Sequence, residues 1–233
     1  MNFENPLISG VLIKRYKRFF ADVKINDKII TVHCPNTGSM KGLLTQGNKV
    51  WVSKSNNIKR KLTHTLQIIE VENNKVGVNT HLTNKIVHEA LLGNKIKDFS
   101  ENLKITTEKK FNDNTRFDFL IEKGSKKSFI EVKNVTLSRK SNLAEFPDSI
   151  TSRGAKHIKE LVEAIKLGFD SYLFYVVQRE DCGEFAIAKD IDPDYSNLLT
   201  MAIKKKVKII CFDCKFTSKG IKLNNRIKLL LND

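Results

Sequence analysis

Two strand-like arms separated by a polar turn fix the centre of this chain. Residues 116–121 read Arg-Phe-Asp-Phe-Leu-Ile and residues 129–133 read Phe-Ile-Glu-Val-Lys, with Gly124-Ser125 between them. Short apolar-rich runs bounded by Gly and Ser predict a β-hairpin, and Gly-Ser suits a two-residue type II′ turn with positive φ at its first position. Lys123 then pairs with Lys126, and counting back sets Asp118 opposite Glu131. Alternation places Arg116 with Asp118 on one face of the first arm and Glu131 with Lys133 on one face of the second. Phe117, Phe119, Ile130 and Val132 are expected to point the other way.

Carboxylates directly opposite each other repel and weaken a hairpin, so the pair calls for a cation between them. Asp118 and Glu131 offer hard oxygen ligands for Mg²⁺ or Mn²⁺, which keeps part of its water shell. Lys133, two residues on, brings an ammonium to orient or deprotonate a water and to offset developing charge. Asp118, then Glu131-Val132-Lys133 after twelve intervening residues, resembles the D…ExK pattern of the PD-(D/E)XK nuclease superfamily. That resemblance implies metal-dependent phosphodiester hydrolysis, with the Val132 carbonyl as a further oxygen for the ion. A solvated acidic hairpin face is the alternative that these residues leave open.

At 233 residues the chain can bury one large core or two smaller ones. Its 41 Lys and Arg against 26 Asp and Glu give a net charge of +15, which favours a polyanionic partner. No apolar run reaches membrane-spanning length and the N-terminus lacks a charged-then-apolar leader, so no membrane association and a cytoplasmic location are expected. Cys211 and Cys214 form a lone C-x-x-C inside a strand-like run. Positions three apart on a strand face opposite ways, so buried reduced thiols are expected there in preference to zinc.

Residues 1–82 read as an all-β segment. Val11–Ile25 alternates, Lys28–His33 follows an Asn-Asp turn, and Lys49–Ser53, Leu66–Val71 and Val76–Asn79 complete about five strands, as in a small OB-like barrel. This segment holds thirteen Lys and Arg against five Asp and Glu. Lys14, Arg15, Lys17 and Arg18 are interleaved with Tyr16, Phe19 and Phe20, and Lys59-Arg60-Lys61 forms a second basic cluster. Cations for phosphates beside rings for bases are what a nucleic-acid groove requires. The loop His33-Cys-Pro-Asn-Thr-Gly-Ser-Met40 is either a phosphate-binding turn or an ordinary connection.

Residues 83–233 change character. A helix over 84–96 is predicted, entered through Thr83 as N-cap and carrying Glu89 as a possible extra carboxylate for the metal. A strand at Ile105–Phe111 carries Glu108 and leads to the hairpin, which a polar loop at Ser138–Glu145 follows. A second helix, Arg153–Leu167, is capped by Thr151 or Ser152, and Arg153 and His157 near its start are candidates to cradle a phosphate. Ser171–Gln178 reads as a strand buried on both faces. A helix at Asp194–Lys204, a strand at Val207–Phe216 and a terminal pair, Ile221–Leu223 and Ile227–Leu231, complete an α/β (α+β) domain with a mixed sheet flanked by helices.

Arg15-Tyr-Lys-Arg-Phe, His33-Cys-Pro-Asn-Thr-Gly-Ser-Met, Arg116-Phe-Asp-Phe, Glu131-Val-Lys133-x-Val-Thr and Phe146-Pro-Asp-Ser-x-Thr-x-Arg-Gly-x-x-His157 occur in this order. The sequence thereby resembles the sugar fermentation stimulation protein A (SfsA) family from about Leu7 to near the C-terminus. The resemblance implies an N-terminal OB-like domain, a PD-(D/E)XK nuclease-like second domain, and DNA as partner. A link to sugar (maltose) metabolism goes with it; an RNA-processing factor is a third reading, since OB domains accept single-stranded nucleic acid of either kind. It marks Asp118, Glu131 and Lys133 as the nuclease-type centre, Glu89 as a fourth carboxylate and Arg153 and His157 as phosphate-side helpers. A non-cleaving DNA-binding regulator is the alternative, and oligomeric state is left open.

Overall fold

A computed structural model describes residues 1–99 and 103–230. The chain opens with six strands: β1 (Ile8–Tyr16), β2 (Phe20–Ile25), β3 (Lys28–His33), β4 (Lys49–Lys54), β5 (His64–Val71) and β6 (Asn74–Gly77). They hydrogen-bond in the order β3-β2-β1-β4-β5-β6, and β3 also meets β5 through His33 and Thr65. Five strands therefore close into a barrel, and β6 is a hairpin arm added to β5. Inward positions of the alternating pattern, among them Leu12, Val23, Val32, Val50, Val52 and Leu66, fill a fully buried core.

Two strand expectations need correction here. Val11–Ile25 is not one run: the chain reverses at Lys17 and Arg18, both at positive φ, and returns as β2. The last arm is Asn74–Gly77 and not Val76–Asn79. The expected Asn-Asp turn is present, with Asn26 and Asp27 both at positive φ as a type I′ turn demands.

Asn79 accepts the N–H of His81 and starts a single 3-10 turn, Thr80–Leu82, that runs straight into α1 (Thr83–Leu92). Thr83 is thus not an N-cap; it lies in the first turn of the helix and its hydroxyl donates to Oδ1 of Asn134 at 3.3 Å. The helix stops at Gly93, short of the predicted Ile96. The chain continues through β7 (Lys104–Asn112), β8 (Thr115–Lys123), β9 (Lys126–Val135), β10 (Leu137–Lys140), β11 (Asn142–Phe146) and α2 (Ser152–Lys166). It ends with β12 (Asp170–Val177), β13 (Cys182–Ile187), α3 (Pro193–Lys204), β14 (Lys208–Phe216), β15 (Ile221–Arg226) and β16 (Lys228–Leu230). Among the described residues no helix is long and apolar enough to cross a membrane.

A mixed six-stranded sheet, β15-β14-β12-β9-β8-β7, forms the spine of this second region, with β9, β12 and β14 parallel. Leu173, Tyr175 and Val177 of β12 join a core with Ile158 and Leu161 of α2 and Leu199 of α3. Tyr172, Phe174 and Val176 join a second core with Ile86 and Val87 of α1 and Ile68 of the barrel. The unbroken apolar run of β12 is explained by burial on both faces. Cys211 and Cys214 likewise fall in opposite cores, as free thiols.

A smaller sheet, β10-β11-β13-β16, flanks the first of these cores. It corrects three expectations. The segment predicted as a polar loop, Ser138–Glu145, is instead the β10–β11 pair, whose polar residues are held by Arg139 bridging Glu145 and Asp190. Strand β13 has no counterpart in the sequence reading. The two terminal segments do not pair with each other: β15 lies on β14, and β16 lies on β13. Leu231, placed in the last strand by its sequence, lies outside the described residues.

Candidate metal centre and nucleic-acid surface

The hairpin keeps the expected register from Lys123–Lys126 up to Phe119–Ile130. Gly124 has φ +56° while Ser125 does not enter the left-handed region, as a type II′ turn requires. Beyond Phe119 the ladder stops and the alternation breaks. Phe117 packs in the α2-side core and Phe119 in the α1-side core with Ile130 and Val132, so the four residues do not share one face. Glu108, which the β7–β8 register sets opposite Asp118, is itself at φ +51°. In the gap so opened, Oδ2 of Asp118 accepts the backbone N–H of Val132 at 2.7 Å, and Oδ1 accepts the side-chain amide of Asn84 from α1 at 2.7 Å.

Glu131 is buried on the other arm. Its Oε1 accepts the Lys133 ammonium at 2.7 Å and is in contact with Nδ1 of His157, which α2 delivers from across the sheet. Lys133 Nζ also lies 3.4 Å from that imidazole nitrogen. Oε2 of Glu131 is buried and has no hydrogen-bond partner among the described residues. The two carboxylates feel each other: burial first, and the Glu131 charge second, push the Asp118 pKa up to about 6. Burial would raise Glu131 as well, but Lys133 and His157 overcome it and hold that carboxyl below its usual range.

The structure thus brings Asp118, Glu131, Lys133 and His157 together. It does not bring Glu89. That carboxylate points away, 55% exposed, and pairs with the amino group of Met1 at 2.6 Å. Five residues along an α-helix is about 500°, so Glu89 and Asn84 cannot serve the same side. Asn84 is the residue that sequence reasoning missed, since nothing local distinguishes an amide in the first turn of a helix. Arg153 is exposed in the first turn of α2, where Thr151 Oγ1 caps the N–H of Gly154.

The donor set suits a hard divalent cation. An orphaned buried carboxylate oxygen on Glu131, whose charge reaches a second carboxylate on Asp118, matches ions that take oxygen ligands. Among the described residues no three His, Cys, Asp or Glu side chains form a full cage. Mg²⁺ does not need one, because it usually keeps several waters.

The basic residues of the barrel divide by role. Lys17 and Arg18 form the exposed β1–β2 turn beside the half-exposed ring of Phe19. Lys14 is exposed, 3.7 Å from Asp22 and over the Tyr16 ring. Lys59 and Lys61 are exposed in the β4–β5 loop, and Arg60 Nη2 lies 3.1 Å from Nδ1 of His33. Arg15 turns inward: its Nη2 donates to the carbonyls of Arg18, Asn36 and Gly38 at 3.1, 2.8 and 3.0 Å. Two N–H groups of the 36–40 loop are engaged by side chains, that of Gly38 by Asn36 Oδ1 and that of Met40 by Asp148 Oδ2.

Residues 81–220 match a family model described as the sugar fermentation stimulation protein RE domain, and residues 13–78 match one described as the SfsA N-terminal OB domain. A sugar fermentation stimulation protein homolog of Pelagibacter ubique is 54% identical over 230 residues, covering 99% of each chain. One from Brucella anthropi is 44% identical over 223 residues, covering 95% of this chain and 96% of that protein. The solved structure of Pyrococcus furiosus SfsA in complex with Ca²⁺ has the same fold, with a TM-score of 0.89 at 23% identity over 99% of this chain and 98% of that one.

Proposed function

The chain belongs to the sugar fermentation stimulation protein family, and from that premise we propose that it is a divalent-metal-dependent phosphodiesterase acting on DNA. The observation that carries the reading is the unpartnered, buried Oε2 of Glu131 beside the half-buried Asp118. A buried carboxylate oxygen without a donor, beside a second acid, is a costly arrangement unless a cation is shared between the two groups. The archaeal relative solved with Ca²⁺ supports the choice of an oxygen-seeking ion, Mg²⁺ or Mn²⁺ in this chain.

Asp118 and Glu131 would hold the ion. When bound, it supplies Lewis acidity toward a phosphoryl oxygen and an acidified water. Asn84 and the Val132 N–H fix the Asp118 carboxylate, and His157 fixes Glu131 from the opposite layer. Lys133 keeps a positive charge between Glu131 and His157, where it can orient a water and offset charge developing on the phosphate. Lys17, Arg18, Lys59 and Lys61 provide sequence-independent neutralisation of the DNA backbone.

A second reading, DNA binding without cleavage in the regulation of sugar metabolism, has one observation in its favour. Oε1 of Glu131 is already satisfied by Lys133 and His157, so half of the centre is internally compensated. Incubation with supercoiled plasmid, single-stranded DNA and RNA, in Mg²⁺, in Mn²⁺ and in chelator, separates the two. Metal-dependent cleavage lost in both Asp118→Ala and Lys133→Ala supports the phosphodiesterase. Salt-sensitive binding with no cleavage under any metal leaves the regulator.

A further inference from the structure

A cleft of about 520 Å³ lies between the open end of the barrel, the N-terminal segment and the start of α1. Its volume falls in the ~300–1,000 Å³ range of small-molecule sites. Three cations line it, Lys54, Arg60 and Lys85, and none of them is in an ion pair among the described residues. His33 and His81 face each other there with ring centroids 6.5 Å apart. Arg60 donates to Nδ1 of His33, which puts the proton of the neutral imidazole on Nε2. The only carboxylate in the lining is Glu4.

The floor is polar and organised. Asn79 donates to Gln67 at 2.8 Å and Gln67 to Ser53 at 2.8 Å, so these buried amides are held in fixed orientations. Phe3, Pro35 and Leu82 supply an apolar wall. Cations over a rigid amide floor with an apolar side is the chemistry of a nucleotide: phosphate on the cations, base edge on the amides, base face on the wall. Lys85 directly follows Asn84, whose amide holds Asp118.

We propose that this cleft seats one nucleotide of the substrate strand, so that the strand is engaged with at least one base out of any duplex. The proposal rests on the phosphodiesterase reading for the identity of that strand, but its ligand can be tested without cleavage. Thymidine 5′-monophosphate is titrated into the full chain in chelator, with thymidine and inorganic phosphate as separate titrants, while the His33 and His81 ring protons are followed by NMR. The nucleotide is expected to shift both rings and to bind at least tenfold more tightly than either fragment. Arg60→Ala with Lys85→Ala should lower that affinity at least tenfold, and Arg60→Lys should restore part of it.

Inorganic phosphate binding as tightly as the nucleotide, or nucleotide affinity unchanged in the double variant, overturns the proposal. Glu131→Gln serves as the second arm and should leave nucleotide binding intact. Nucleotide binding in a protein that cuts nothing removes the phosphodiesterase reading alone; cutting in a protein that binds no nucleotide removes the cleft alone.

Discussion

Asp118 uses one carboxylate oxygen to receive the Val132 N–H at 2.7 Å, standing where a carbonyl of the next strand would stand in an unbroken ladder. A side chain has replaced a rung, and the replacement holds the two arms apart where Glu131 leaves Oε2 bare. The arrangement satisfies the backbone donor while keeping an acid in a partly dry gap. Its consequences are measurable.

The first is a pH-dependent stability. Asp118 has its pKa raised from 3.8 to about 6, so the folded state takes up its proton more readily than the unfolded chain does. The stabilisation from the neutral acid is complete below pH 4 and is lost as pH rises through 6. The full shift corresponds to about 3 kcal/mol. Urea unfolding in chelator at pH 4 and pH 7.5 should show wild type losing roughly that amount relative to Asp118→Asn. Parallel pH profiles for the two proteins would refute the assignment.

A second outcome concerns the ion. Mn²⁺ or Mg²⁺ should raise the melting temperature at pH 7.5 and do so much less at pH 5, where Asp118 holds a proton that competes with the metal. At a hundredfold excess over Kd the stabilisation should be about 2.7 kcal/mol. Glu131→Gln should abolish it. A melting temperature indifferent to metal at both pH values would count against a cation between the carboxylates.

Asn84 and Glu89 provide a matched pair on one helix. Asn84→Ala removes the amide that orients Asp118, and loss of such a supporting group typically weakens metal binding about 10–100-fold. The midpoint of the pH dependence should move upward with it, since a hydrogen bond to the charged form is gone. Glu89→Gln should leave metal affinity unchanged and cost less than about 1 kcal/mol, as an exposed ion pair does. A reversed ranking would return Glu89 to the centre.

The contrast between those two residues shows what a sequence can and cannot disclose. The hairpin, its turn type and its register follow from period-2 apolar spacing around Gly124-Ser125, because all of that information is local. Lys133 beside Glu131 follows from the same period. Asn84 and His157 reach the centre from two helices on opposite faces of the sheet, and no spacing rule connects residue 84 to 118 or 157 to 131. The break in alternation at Asp118 was equally hidden, since Phe117-Asp-Phe119 looks regular until two cores compete for the rings. Strands β10 and β11 escaped notice because an Arg139–Glu145–Asp190 network, and not apolar alternation, holds them.

Arg15 and Arg18, three positions apart in the basic run, are assigned different tasks by their surroundings. Arg15 donates to three carbonyls, one in the β1–β2 turn and two in the 36–40 loop, and hydrogen bonds to a charged donor are worth about 1.5–3 kcal/mol each. Arg15→Ala should lower the stability of the barrel by a few kcal/mol, with any effect on DNA affinity following from that loss. Lys17→Ala with Arg18→Ala removes two exposed cations from a turn whose backbone needs neither side chain. That double variant should fold normally and weaken DNA binding, reducing the slope of log K against log salt by about 1.8 for two lost phosphate contacts. Binding isotherms at several salt concentrations, alongside thermal melts, separate the two effects. If Lys17→Ala with Arg18→Ala leaves the slope untouched while Arg15→Ala flattens it in a protein of undiminished stability, the phosphate-facing cation is the inward one and the division of labour drawn from the hydrogen bonds is reversed.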